Sequence, residues 1–205
     1  MSGCCDSGCS VDALQEEQQR RTLKAVLSIN AIMFVVIAGA AIYGGSTALL
    51  ANSFDNFGDA LTYALSLYAV SRGISTKAKV ALFKGGLILL AALIVSGQII
   101  YKIVVPGFPI FETMGVFGIL SLIANSICLY LLWRHRNEDV NMSSVWECSR
   151  NDIASDLSVI VAAGGVWLLD SGWPDIIVAL VLVVLLYRSA FRVISSAKEE
   201  LSNTT

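Results

Sequence analysis

Residues 49–70 read LLANSFDNFGDALTYALSLYAV, with Asp55 and Asp59 four apart in an otherwise apolar run. Residues at that spacing lie on one face of a helix, one turn from each other. A charged side chain at the centre of a bilayer costs roughly 2.5–3.5 kcal/mol on the insertion scale. Two of them on one face therefore mark a surface that the chain uses. Cys148 and Asp152 repeat the spacing far downstream. Two such pairs on facing helices would offer four ligands to one metal ion inside a membrane.

The composition says where these pairs sit. Of 205 residues, 56% are hydrophobic and 15% are charged, whereas soluble domains carry about 25% charge. Six apolar stretches reach the roughly 17–25 residues that a spanning helix needs. They lie near 22–43, 48–70, 84–104, 112–133, 146–169 and 174–194. The predicted fold class is an all-α membrane protein with six transmembrane helices. Residues 1–21 read as a polar N-terminal tail with a Cys cluster, 22–195 as the six-helix domain, and 196–205 as a short C-terminal tail. The polar first 21 residues lack an apolar core, so no cleavable signal peptide is expected. The short connections and tails leave no room for a soluble domain.

Charge sets the orientation. Lys and Arg gather at Arg20, Arg21 and Lys24, between helices 2 and 3 (Arg72, Lys77, Lys79, Lys84), at Arg134 and Arg136, and at Arg188, Arg192 and Lys198. The opposite connections, around 44–46, 105–112 and 169–175, carry none, although Lys102 lies near the end of helix 3. The positive-inside rule then places both termini in the cytosol. Cys4, Cys5 and Cys9 would face a reducing compartment, where disulfides are not expected. Cys128 sits in an apolar helix and reads as a small packing residue. The only histidine, His135, lies among Arg134, Arg136 and Asn137 and reads as a solvated loop residue.

Helix 2 aligns Asn52, Asp55, Asp59 and either Thr62 or Tyr63 along one stripe. Helix 5 aligns Cys148, Asp152 and Asp156, bordered by Asn151 and Ser155. Ionisable residues in a membrane face a bundle interior or a wet cavity. A single membrane aspartate can be protonated and simply hydrogen-bond a neighbouring helix. Four acids on two helices, with no Lys or Arg expected at their depth, ask for more. They repel one another, and either a divalent cation or protons relieve the conflict. A site able to hold either has the chemistry of a cation/proton exchanger. A thiolate among carboxylates suits Zn²⁺, and sulfur also tolerates softer Cd²⁺. Mg²⁺ and Ca²⁺ favour all-oxygen shells of six or more ligands. The candidate metal ligands are Asp55, Asp59, Cys148 and Asp152, with Asp156 as a fifth. Cys148 lies about 12 Å from Asp156 toward the cytosol at 1.5 Å per residue. It reaches the same site if helix 5 starts before the lipid core or if a cytosolic cavity leads inward. The segment CCDSGC, with Cys4, Cys5 and Cys9, either captures a soft metal before transfer or has no metal role.

These motifs resemble the cation diffusion facilitator family. GGSTALLANSFDNFGD (44–59) is similar to the family's second helix, with Asp55 and Asp59 in its two ligand places. CSRNDIASDLSVIVAA (148–163) is similar to its fifth helix, with Cys148 and Asp152 in the ligand places. SGWPDIIVALVLVVLLYRSAFRVI (171–194) looks like its sixth helix, and Asn30 and Asn125 fall where polar residues are common. The resemblance implies a carrier, not an enzyme, that exports divalent cations from the cytosol in exchange for protons by alternating access; with Cys148 as a ligand, the donor set favours Zn²⁺ or Cd²⁺. It implies a homodimer formed through membrane helices, in a bacterial inner membrane, with no prosthetic group and no nucleic-acid partner. The family's usual cytosolic C-terminal domain is not expected after residue 205. Cys148 departs from the usual His or Asp, and Asp156 is an added carboxylate. The loop SRGISTKAKV (71–80) carries no ligand for a further metal site. Gly39, Gly44, Gly45, Gly58, Gly164 and Gly165 offer close helix packing.

Two other readings remain. A passive cation channel also uses carboxylate rings, but no selectivity-filter loop is evident. An intramembrane aspartyl protease also needs two membrane aspartates. FGDA at 57–60 gives half of its motif, but Asn56 stands where that motif has Gly, and no Pro-Ala-Leu segment occurs.

Overall fold

Hydropathy marks where a chain enters lipid, not where its helices end, and here the two differ. The computed structural model describes residues 6–69, 74–134 and 140–202, without the side chains of 6–16, 68–69, 74–78, 80, 140–145, 147–148 and 200–201. Six helices run through these residues: α1 (Asp6–Gly44), α2 (Thr47–Ala69), α3 (Ile74–Val104), α4 (Phe111–Trp133), α5 (Val140–Leu169) and α6 (Trp173–Ser202). Four of them outrun the apolar stretches. Residues 6–21 continue α1 beyond its apolar part. A salt bridge of 2.6 Å from Arg21 back to Glu17 supports that extension at helical spacing. The chain from Ile74 to Lys84 belongs to α3, so these lysines ride on a helix. Likewise, α5 starts at Val140, before its apolar part, and α6 runs on to Ser202.

Among the described residues, five helices are long and apolar enough to cross a membrane: Glu17–Gly44, Ala81–Val104, Phe111–Trp133, Ser149–Leu169 and Trp173–Glu199. The expected sixth, α2, has the length at 23 residues. Its apolar run is diluted by Asn52, Asp55, Asn56 and Asp59. The surface of the bundle is reversed relative to a soluble protein. Ile42, Tyr130 and Val161 point outward, while Asn30, Asn52, Asn125 and Asp156 are buried. Such a pattern is stable where the surroundings are as apolar as the outer faces.

Packing divides the helices unevenly. α1 lies along α2 and α4, and α4 lies along α5. α3 and α6 form a second close pair, with α2 and α5 bordering α6. Gly85 explains the closeness of that pair, since a Cβ there would sit 2.6 Å from Ile194 Cγ1. Of the glycines singled out by sequence, Gly44 abuts Thr113 and Gly165 abuts Pro174. Gly39 and Gly164 have open space.

The connections at 45–46, 105–110 and 170–172 share one end of the bundle, called distal here; the start of α1 and the end of α6 share the other, called proximal. Hydrogen bonds tie the distal segments to one another. Gly45 turns with φ +61, a conformation that a side chain rarely adopts. Ile110 N–H donates to Gly44 O at 2.8 Å. Ser46 caps α2, its Oγ accepting from Leu49 N–H at 3.1 Å. Asp175, in the first turn of α6 and 1% exposed, then receives the start of α2. Ser46 Oγ donates to its Oδ1 at 2.6 Å, Thr47 N–H to Oδ2 at 2.8 Å and Ala48 N–H to Oδ1 at 3.0 Å. A carboxylate at a helix N-terminus satisfies orphan amides and meets the positive end of the dipole.

Candidate functional site

The aspartates of α2 and α5 meet where those helices border α6. A cavity of about 550 Å³ opens there, lined by Asp55 and Asp59 from α2 and by Asp152 and Ser155 from α5. From α6 it takes Leu182, Arg188 and Arg192, so it extends toward the proximal end. Asp59 and Asp152 are each 8% exposed. Asp59 lies close enough to Asp152, and Asp55 to Ser155, for each pair to interact across the two helices. The i,i+4 spacing of Asp55 and Asp59 thus presents both to one space, and the facing helix adds Asp152. What this arrangement can do follows from its shape. Three carboxylates from two helices surround a volume far larger than a bare ion, leaving room for a cation with its water.

The sequence-predicted ligands divide into groups. Asp55, Asp59 and Asp152 are brought together. Cys148 lies one turn before Asp152 on α5, with its side chain outside the described residues. Cys4 and Cys5 lie outside the described residues altogether, and so does the side chain of Cys9. Asp156 is fully buried and does not line the cavity. Its Oδ1 accepts from Asn52 Nδ2 and its Oδ2 from Asn125 Nδ2, each at 2.9 Å. Ser121 Oγ donates to Asn52 Oδ1 at 3.2 Å. Among the described residues, no three Cys, His, Asp or Glu side chains stand close enough together to hold a metal ion. A complete ligand shell therefore needs either Cys148 or a closer approach of α2 to α5.

Sequence reasoning missed the cations. No Lys or Arg was expected at the depth of the acids. Yet Lys84, 8% exposed, donates to Thr62 Oγ1 and lies close enough to Asp59 to act on it electrostatically. Thr62 in turn donates to Gly58 O at 2.8 Å. Lys84 reads as a loop residue by hydropathy because the apolar run begins beside it. The early start of α3 turns it into the bundle. Arg188 and Arg192 read as a flank for the same reason, yet one helix turn apart they line the acidic cavity. A base four residues from another near a helix end was the available signal.

Cys128 matches its packing assignment. It is buried and accepts a hydrogen bond from Asn30 Nδ2 at 3.6 Å. Asn30 Nδ2 also donates to Val26 O at 2.9 Å within α1, so the one amide anchors in α1 and reaches α4 through Cys128.

No individual curated protein matches the chain significantly. The cation efflux transmembrane domain family matches residues 23–202, nearly the whole helical bundle. The chain belongs to this family, the cation diffusion facilitators, whose members are transporters of divalent metal cations and not enzymes.

Proposed function

We propose that this protein is a metal cation/proton antiporter that exports Zn²⁺, and Cd²⁺ with it, from the cytosol by alternating access. One observation carries the reading. The cavity between α2, α5 and α6 gathers Asp55, Asp59 and Asp152 and leads toward the proximal end, which the positive-inside rule assigns to the cytosol. At the distal end the Asp175 clamp and the Ile110–Gly44 hydrogen bond hold the start of α2 and the chain before α4 in place. This is the arrangement expected of a carrier waiting for cargo from the cytosolic side.

In this reading α2 crosses the membrane with the other five helices, screened from lipid by its neighbours. The metal is cargo, and Asp55, Asp59, Asp152 and thiolate Cys148 take it up in deprotonated form. Asp156, one turn beyond Asp152 on α5, is a fifth candidate. Protons compete for the same groups when the cavity opens to the far side, and the protonated carrier returns. The sulfur of Cys148 supports Zn²⁺ and Cd²⁺ over Mg²⁺ and Ca²⁺. Cys4, Cys5 and Cys9 would deliver a soft ion to the cavity mouth. The apolar outer faces of the helices would supply a homodimer contact in a bacterial inner membrane. The deciding experiment is Zn²⁺ or Cd²⁺ uptake by proteoliposomes under a pH gradient. Uptake that survives Asp59→Ala or Asp152→Ala sinks this assignment, and flux indifferent to the gradient points to a passive channel.

A further inference from the structure

Asp156 has the residue type of a ligand and the surroundings of a structural element. Both of its oxygens accept amide hydrogens, one from α2 through Asn52 and one from α4 through Asn125. The amide of Asn52 is held at its other end by Ser121 of α4. All four side chains are at most 3% exposed, in a place where a hydrogen bond to a charged group is strong and its loss expensive. The same network touches both ligand helices close to their ligands. Asn52 is three residues from Asp55 on α2. On α5, Asp156 is four residues from Asp152 and adjacent to Ser155, which lines the cavity with Asp55.

We propose that Asp156 is a positioning residue of the transport site: a bracket from α5 to Asn52 and Asn125 that sets the spacing of Asp55 and Asp59 from Asp152. The inference rests on the assignment of those three carboxylates as ligands. Its physical basis is that Asp156 spends both oxygens on amide donors and stands in the α4-side wall, while the cavity opens on the α6 side. A metal ion could reach it only after the bracket had broken. The bracket also leaves the α6 side of the site free to move, because none of its four members belongs to α3 or α6.

The test uses the full chain, Zn²⁺ alone as the probe, and titration calorimetry on the purified protein. Asp156→Asn and Asn125→Ala are each expected to raise the Kd about tenfold at unchanged stoichiometry, the usual effect of losing a group that orients ligands. The double variant Asn52→Asp/Asp156→Asn rebuilds one carboxylate–amide pair with its ends exchanged, and should return the Kd to within about threefold of the original. Asn125 bonds Asp156 from α4 and does not line the cavity, so its effect separates the two roles. If Asn125→Ala leaves the Kd unchanged while Asp156→Asn abolishes binding, Asp156 is a ligand and the bracket is overturned. Should the wild-type protein bind neither Zn²⁺ nor Cd²⁺, the ligand assignment itself fails. The bracket is then read without metal, from the distance between nitroxide labels at Ala64→Cys and Leu157→Cys with the native cysteines replaced. Asp156→Asn should broaden that distance distribution and the exchanged pair should narrow it again; an unchanged distribution overturns the proposal.

Discussion

Two sets of aspartates sit inside this bundle under opposite conditions. Asp175 and Asp156 are surrounded by donors: three from the start of α2 for the first, two asparagine amides for the second. Asp55, Asp59 and Asp152 face a cavity and, in part, one another. The difference teaches what to look for in a membrane carboxylate. One with its oxygens satisfied by fixed N–H and O–H groups ties helices together. One that faces another acid across a wet space needs a proton or a cation, and can therefore exchange them. The cation efflux assignment of residues 23–202 fits the second set, and the first set gives it a frame.

The comparison breaks most sharply through the cavity acids. Asp59→Ala and Asp152→Ala should each reduce Zn²⁺ uptake in proteoliposomes to the level of empty vesicles, while the protein still folds and elutes normally. A variant that keeps transport would place the site elsewhere. The opposite behaviour is expected of Asp175→Ala. It strands Ser46 Oγ and the amides of Thr47 and Ala48, and should cost about 3 kcal/mol of stability by the loss of a cap and two buried bonds. Thermal unfolding in detergent measures this, with Asp175→Asn falling between the two. Normal melting of Asp175→Ala would mean that the clamp contributes little.

Smaller effects sharpen the picture of the cargo. Replacing Cys148 by Asp should lower the ratio of Cd²⁺ to Zn²⁺ transport on the order of tenfold, because a hard oxygen replaces a soft sulfur. Competition uptake in vesicles reads this ratio, and an unmoved value in both Cys148→Asp and Cys148→Ser would mark Cys148 as a packing residue. The smallest change belongs to Lys84→Met. Removing a positive charge near Asp59 should tighten Zn²⁺ binding by roughly threefold to tenfold, as expected for one screened charge at partial depth. Weaker binding would instead give Lys84 a structural duty through Thr62.

Much of this was legible early. The i,i+4 pairs placed Asp55 with Asp59 and Cys148 with Asp152 on single faces, because helical periodicity is a local property. The family was readable from those motifs and the sixth helix, and the match over 23–202 bears it out. Other features were not legible, for reasons of geometry. Asp156 shares its stripe with Asp152, yet a helix has neighbours on several sides, and the net turn of about 40° over four residues suffices to bring Asp156 to Asn125 of α4. Lys84 and the two arginines of α6 look like flanks in the sequence because hydropathy responds to the onset of an apolar run and not to the course of the helix. Near the ends of α3 and α6, a charged residue can therefore still turn inward, as Lys84, Arg188 and Arg192 do.

The amino-acid sequence by itself determined an all-helical chain, the side on which its positive charge collects, and the spacing of acids on α2 and α5. Those are consequences of composition and of the 3.6-residue turn. Only the tertiary structure decided which acids keep a cavity and which are consumed as ties. That choice depends on which helix lies next to which: α6 brings Leu182, Arg188 and Arg192 to one side of α5, and α4 brings Asn125 to the other. A carboxylate's role in this membrane bundle is set by the donors across from it, and those come from segments remote in sequence.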